Sequence, residues 1–170
     1  MVNSPMDIRN ERILKQFEAM VHEFESLDKC RGKEFTLLWL REYQTYWQEV
    51  SLYDFDYFTD EAMTTTPKLS VKNGKETIDY SKLNDFLFSP LHKHWKNFLK
   101  LRNDSDLPVE RFSFLVVYQN TTSWTERIEL MQKWRSIAHS YSDLNASVWE
   151  ANSMFVDQML SLKTLAMQAS

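Results

Sequence analysis

The sequence predicts an α+β fold, a ferredoxin-like split βαβ sheet carrying helices, with a helical insertion and a truncated first strand. Three observations predict it. Apolar residues recur at helical spacing from Ile8 to Leu27. A β-branched and aromatic run, Arg111 to Gln119, reads as a buried strand. A capping box at Ser123 and Glu126 opens a helix behind it, and a short strand is expected at Ala146 to Trp149.

The elements follow in order. Met1 to Ser4 reads as the tail of a strand that Pro5 breaks, so the first strand is expected to lie mostly upstream of residue 1. In the first helix Ile13, Leu14, Phe17, Met20, Val21, Phe24 and Leu27 share a face, opposite Glu11, Lys15, Glu18 and Glu25. A stop is expected near Cys30 to Gly32, where glycine can take the left-handed closing conformation. A second helix, Thr36 to about Val50, carries Trp39, Leu40, Tyr43, Trp47 and Val50 on one side. The acidic and aromatic run Tyr53 to Glu61 and the polar stretch Ala62 to Asp79, with a turn at Asn73-Gly74, read as an exposed insertion.

Ser81 is expected to cap a short helix through Phe88, and Ser89-Pro90 to start another running to about Leu101. Leu91, Trp95, Phe98 and Leu99 would be its apolar stripe, and Asn103 to Pro108 a loop. The helix behind the capping box runs to about Tyr141 and buries Ile128, Met131, Trp134, Ile137 and Ala138. After a turn at Asp143 to Asn145 the next strand completes a right-handed crossover with parallel strands. The whole is one domain, 1–170, with the helical insertion at about 33–108 and the βαβ unit at about 111–150.

Composition bounds the function. Hydrophobic residues make up 43% and aromatics 14% of the 170, enough for a packed core and too much for disorder. A net charge of −4 gives no basic footprint for nucleic acid. Two glycines are too few for a phosphate-cradling loop. No apolar run approaches the ~18 residues that span a bilayer, and residues 1–10 lack a signal peptide's basic head and apolar run.

Catalytic and metal chemistry finds little to stand on. His92 and His94 would diverge by about 200° on a helix, so they cannot share a metal; exposed helix histidines, like His22 and His139, are the plainer reading. Asp54, Asp56, Asp60 and Glu61 resemble a calcium loop only faintly, lacking its central glycine and distal glutamate. There is no Gly-x-Ser-x-Gly elbow and no marked general acid, so neither an enzyme nor a cofactor is expected. Cys30 is the single cysteine, read either as an idle thiol or as half of a disulfide to a segment outside these residues. The tryptophans 39, 47, 95, 124, 134 and 149 could line a lipid groove, but helical spacing makes them core first. Three N-glycosylation sequons start at Asn103, Asn120 and Asn145, all in expected loops, compatible with a luminal or extracellular setting.

The runs RFSFLVVYQNTTSW (Arg111 to Trp124), RIELMQKWRSIA (Arg127 to Ala138) and VWEANSMFVDQMLSLKT (Val148 to Thr164) resemble the second large extracytoplasmic loop of the Patched-related family. HEFES (His22 to Ser26), TLLWLREY (Thr36 to Tyr43) and SPLHKHWKNFL (Ser89 to Leu99) also look like that loop. The most specific series is Trp134-Arg135, Asn145 in its sequon, and Met154 to Gln158. The resemblance covers nearly the whole chain. It implies the resistance-nodulation-division superfamily, with twelve spans, a sterol-sensing region and two porter-like loops of ferredoxin-like fold. It further implies a role in moving or sensing sterols and other lipids, driven by cation gradients through intramembrane acids.

Those acids and the sterol-sensing spans have no counterpart here, so the resemblance implies a non-catalytic domain fragment of a multi-pass parent in the plasma membrane or a vesicle. Residues 154–170 would then lead toward an absent membrane span, and the partners would be the rest of that protein and, through it, a lipid or sterol. The alternative is a free-standing soluble interaction module or a nonfunctional truncated remnant.

Overall fold

The computed structural model describes residues 1–57, 78–103 and 106–168, with side chains for all of these except 51–57 and 163. These residues form a mixed, mainly helical α+β structure with, among them, one small antiparallel sheet.

Helix α1, Glu11–Glu25, starts where the Asn10 side chain accepts hydrogen bonds from the Arg12 and Ile13 backbone amides, offsetting two unpaired donors of the first turn. It buries Phe17, Met20, Val21 and Phe24, the face its spacing predicts. The helix closes at Ser26 in a right-handed conformation. Gly32 (φ 95°) does not terminate it; it opens a 3-10 turn, Lys33–Phe35.

Helix α2, Trp39–Tyr57, extends well past the expected end at Val50. Residues 53–57 are therefore helical backbone and not part of an exposed loop. Residues 58–77 of that expected insertion, with the Asn73-Gly74 turn, Asp60 and Glu61, lie outside the described residues.

Helix α3, Leu83–Phe88, forms without the expected Ser81 cap. The Ser81 amide instead donates to Asp79 Oδ1 at 2.8 Å, a local turn that orders the approach. The helix expected from Ser89 to Leu101 is replaced by a short 3-10 helix, Lys93–Asn97, and a strand, β1, Leu99–Leu101. Two packing facts explain the change. The His92 ring stacks on Phe86 at 4.5 Å, and the chain after Phe98 is drawn into pairing with β2, Val109–Phe112. Leu91, the supposed start of the apolar stripe, is 79% exposed.

Strands β1 and β2 are antiparallel, with Leu99 opposite Phe112 and Lys100 opposite Arg111. Beyond β2 the chain stays extended, but the expected buried strand to Gln119 is a succession of single pairings. On one edge Ser113 bonds to Phe98, Leu115 exchanges both bonds with Leu37, Val117 accepts from Arg31, and Gln119 donates to Lys29. On the other edge Phe112 exchanges both bonds with Val2, at 2.8 and 3.0 Å.

Helix α4, Trp124–Ser140, has the expected capping box at Ser123 and Glu126. Leu130, Met131, Ile137 and Ala138 are buried on it, while Ile128 and Trp134 are half-buried. A 3-10 turn, Ser142–Leu144, and left-handed Asn145 lead to Ala146, which bridges Val2. The expected strand 146–149 is reduced to a single bridge at Ala146. Val2 stands between Phe112 and Ala146, antiparallel to each, so the two flanking segments run the same way, one strand apart. Helix α5, Ser153–Gln168, follows.

The core is aromatic. Phe17 of α1, Trp39 and Tyr43 of α2, Phe86 of α3 and Phe112 of β2 are all at most 1% exposed. Phe112 meets Phe17 edge-on at 5.4 Å and Trp39 at 5.8 Å, and Tyr43 meets Phe86 at 5.3 Å. Edge-to-face pairs of this kind add about 0.5–1.5 kcal/mol each to simple burial.

Candidate functional site

The feature most suited to binding is an apolar groove of about 360 Å³. Phe114, Val116 and Tyr118 form one wall, and Ala146, Val148 and Trp149 the other. Its floor is helical, from Phe24 of α1 and from Trp134 and Ala138 of α4. A strand alternates its side chains between two faces. Here Phe112, Phe114, Val116 and Tyr118 turn toward the helices, while Leu115 and Val117 are 46% and 37% exposed.

Tyr118 anchors the far end. Its hydroxyl donates to the Phe24 carbonyl at 2.6 Å, and its ring lies 4.8 Å from that of Trp134. Burial holds the phenol well above its ordinary value, so it remains a proton donor throughout the physiological range. At the near end the Met1 nitrogen donates to the Ser147 carbonyl at 2.8 Å, and the Ser147 amide donates to the Met1 carbonyl at 2.8 Å. Glu150 at the rim accepts from the Asn152 backbone amide and side chain, and Arg127 approaches it at 3.8 Å.

The sequon asparagines are at the surface. Asn103 is exposed in the β1–β2 connection, its sequon partners 104–105 lying outside the described residues. Asn120 is exposed with φ 56°, and its carbonyl accepts from Lys29 Nζ at 3.2 Å. Asn145 is exposed and left-handed, and the hydroxyl of its sequon serine, Ser147, accepts from Asn3 Nδ2 at 2.9 Å. Cys30 is half-buried, its sulfur accepting from the Gly32 amide at 3.4 Å.

His22, His94 and His139 are exposed, but His92 departs from the expectation. It is half-buried between Phe86 and Tyr46, off any α-helix. Asp54 and Asp56 sit on α2 backbone, and their side chains lie outside the described ones. Among the described residues no three His, Cys, Asp or Glu side chains converge on a common point.

The tryptophans divide. Trp39, Trp47 and Trp95 are core, Trp95 donating to Glu42 at 2.6 Å, whereas Trp134 and Trp149 line the groove. Of the specific series, Arg135 and Asp157 form a bidentate ion pair between α4 and α5. The groove itself was within reach of the sequence. RFSFLVVYQ alternates Phe112, Phe114, Val116 and Tyr118 with more polar or exposed positions, a period-2 signal that the reading as a uniformly buried strand passed over.

The chain matches no family model, no curated protein and no solved structure.

Proposed function

We propose that this chain is an extracytoplasmic, non-catalytic domain of a Patched-related membrane protein, contributing half of a lipid conduit or a surface that recognises an extracellular partner. One observation carries most of the weight. Val2 lies between Phe112 and Ala146, antiparallel to both, and α4 crosses from one flank to the other. Such an interleaving, made here of single bridges, is compatible with a split βαβ unit, the building block of a ferredoxin-like porter domain, and supports that reading.

Two further features support the reading. The asparagines of all three sequons are exposed, as glycan acceptors must be. Helix α5 carries only Asp157 and Lys163 as charges and leaves Met154, Phe155, Met159, Leu162, Leu165 and Met167 exposed. Such a helix suits the approach to a bilayer or a protein neighbour. No helix among the described residues is long and apolar enough to cross a membrane, so the spans would belong to the rest of the parent.

Sequencing the full-length transcript tests the proposal. An apolar run of at least about 18 residues is expected after residue 168. Its absence on both sides would remove the membrane parent. In the intact parent, a photoreactive sterol probe should then crosslink within or beside this domain.

The groove favours a second reading, a free-standing interaction module. A purified 170-residue chain that melts cooperatively as a monomer, from a transcript without membrane spans, would support it.

A further inference from the structure

The turn between α3 and β1 holds two large apolar side chains out in solvent. Phe88 is 74% exposed and Leu91 79%, with Pro90 exposed between them. Both flanks of this tip are fixed. Phe86 and Leu87 on one side and Trp95 on the other are at most 1% exposed, and His92 stacks on Phe86. The Ser89 carbonyl accepts from the His92 and Lys93 amides at 3.1 and 2.9 Å, and Pro90 restricts its own backbone. Folding Phe88 or Leu91 back onto the core would break those anchors. The turn therefore keeps out of the core two side chains whose removal from water is favourable.

The charges around the tip are mainly positive. Lys96 Nζ lies 3.6 Å from the centre of the Phe88 ring, and His94 Nδ1 lies 3.1 Å from the Leu91 carbonyl. Lys93, also exposed, stands between Leu91 and His94 in the chain. Residues 86–103 include Lys93, Lys96, Lys100 and Arg102 and no acidic residue, in a chain of net charge −4. Three acids come near. Asp85 is exposed one turn before Phe88, Glu42 of α2 accepts from the Trp95 indole at 2.6 Å, and Glu110 pairs with Lys100 at 3.0 Å. None of the three is seen to hold Lys93 or Lys96.

We propose that this tip docks on an anionic bilayer surface, Phe88 and Leu91 entering the acyl boundary while Lys93 and Lys96 meet the lipid headgroups. Side chains three-quarters exposed project from the molecule and do not line a groove. What covers them must yield to their shape, as lipid does. The lysines supply the sign of the surface. A lysine stem is long enough to leave its ammonium among headgroup phosphates as the neighbouring ring enters. Each lysine near such a surface is worth about fivefold in partitioning. Two apolar side chains make a weak, reversible contact, so the tip orients the domain and does not anchor it. This inference rests on one turn and stands whether or not the parent carries membrane spans.

The test measures co-sedimentation of the full chain with phosphatidylcholine vesicles, with and without about one-third phosphatidylserine. Binding at least about tenfold stronger to the anionic vesicles is expected, weakening as salt rises from about 0.1 to 0.5 M. Phe88→Ser with Leu91→Ser, and separately Lys93→Gln with Lys96→Gln, should each cut it at least about tenfold. Both double variants should keep the wild-type urea midpoint, because the altered side chains lie in solvent. Failure to bind overturns the proposal, as does equal binding to neutral vesicles. Unchanged binding of the serine variant also overturns it, by placing the contact elsewhere, such as on α5. A lowered midpoint in the serine variant would show the tip covered by its own chain, and a dimer lost in that variant would show it covered by a second copy. Either sinks the idea. So does binding of soluble polyglutamate that the serine variant loses, which would assign the tip to an acidic protein.

Discussion

Arg135 clasps Asp157 with two parallel hydrogen bonds, 2.6 Å from Nη1 to Oδ1 and 3.0 Å from Nη2 to Oδ2, joining α4 to α5. The guanidinium holds the carboxyl below its ordinary 3.8. Both partners remain substantially in solvent, so the clasp orients α5 more than it stabilises the domain. Val156, fully buried beside it, supplies the apolar hold. Asp157→Asn is expected to speed amide exchange along α5 while leaving the midpoint of urea unfolding nearly unchanged. Val156→Ala should release the helix further, at a cost of about 1–3 kcal/mol to its docking. Exchange measured residue by residue distinguishes undocking from global unfolding.

Glu25 and Arg41 form the better-protected ion pair, 2.6 and 3.0 Å apart at the two contacts, with the glutamate side chain only 6% exposed. Burial, the largest single influence, would raise the Glu25 carboxyl, but the Arg41 bonds together with Thr36 and the charges of Arg41 and Lys33 outweigh it, and the net displacement is below 4.5. A depressed folded-state value contributes stability above the unfolded-state value and loses it as pH falls through the folded one. Arg41→Met removes the compensation and leaves a buried carboxylate, costing about 1–3 kcal/mol at pH 7. That is less than a fully enclosed pair, because Arg41 still meets water. The gap between wild type and variant should narrow as pH drops from about 5 to 3, read by urea unfolding at each pH.

How far the sequence foretold this structure depends on how much each element relies on distant partners. Helices α1 and α4 were legible because their apolar spacing and, for α4, the Ser123–Glu126 box are local facts. Residues 91–99 misled for a physical reason. Leu91, Trp95, Phe98 and Leu99 have helical spacing, but Leu99 gains more by entering a sheet with Phe112 than by prolonging a helix. Strand β1 is three residues long and carries no periodic signal of its own. Likewise, Val2 pairing with both Phe112 and Ala146 joins residues more than a hundred positions apart, which no window of sequence displays. The groove depends on those same distant pairings, so its wall was visible as an alternation but its second wall was not.

Trp39 is the residue whose loss the core should feel most. It is fully buried at the meeting of α2 with β2, 5.8 Å from both Tyr43 and Phe112. Trp39→Ala leaves a large void and should cost about 3–5 kcal/mol. Trp39→Phe should cost clearly less, about 1–2 kcal/mol. The indole N–H has no hydrogen-bond partner among the described residues, so phenylalanine discards a buried donor along with the lost volume. Thermal unfolding of the two variants side by side checks the order; a phenylalanine variant as unstable as the alanine one would mean the indole nitrogen is satisfied.

Asn145 allows the backbone's demand to be separated from any glycan's. Its φ of 45° and ψ of 47° place it in the left-handed region, which closes the 3-10 turn Ser142–Leu144 and aims the chain at Val2. Asparagine tolerates that conformation, glycine adopts it freely, and alanine pays a steric penalty from its Cβ. In protein made without glycosylation, Asn145→Ala should destabilise by about 1 kcal/mol, whereas Asn145→Gly should stay within a few tenths of wild type. In protein secreted from a eukaryotic cell both substitutions remove the same acceptor, so each should lose one endoglycosidase-sensitive step in gel mobility. Equal mobility of wild type and both variants would show that Asn145 carries no glycan, and the unglycosylated pair would still report the strain at its backbone.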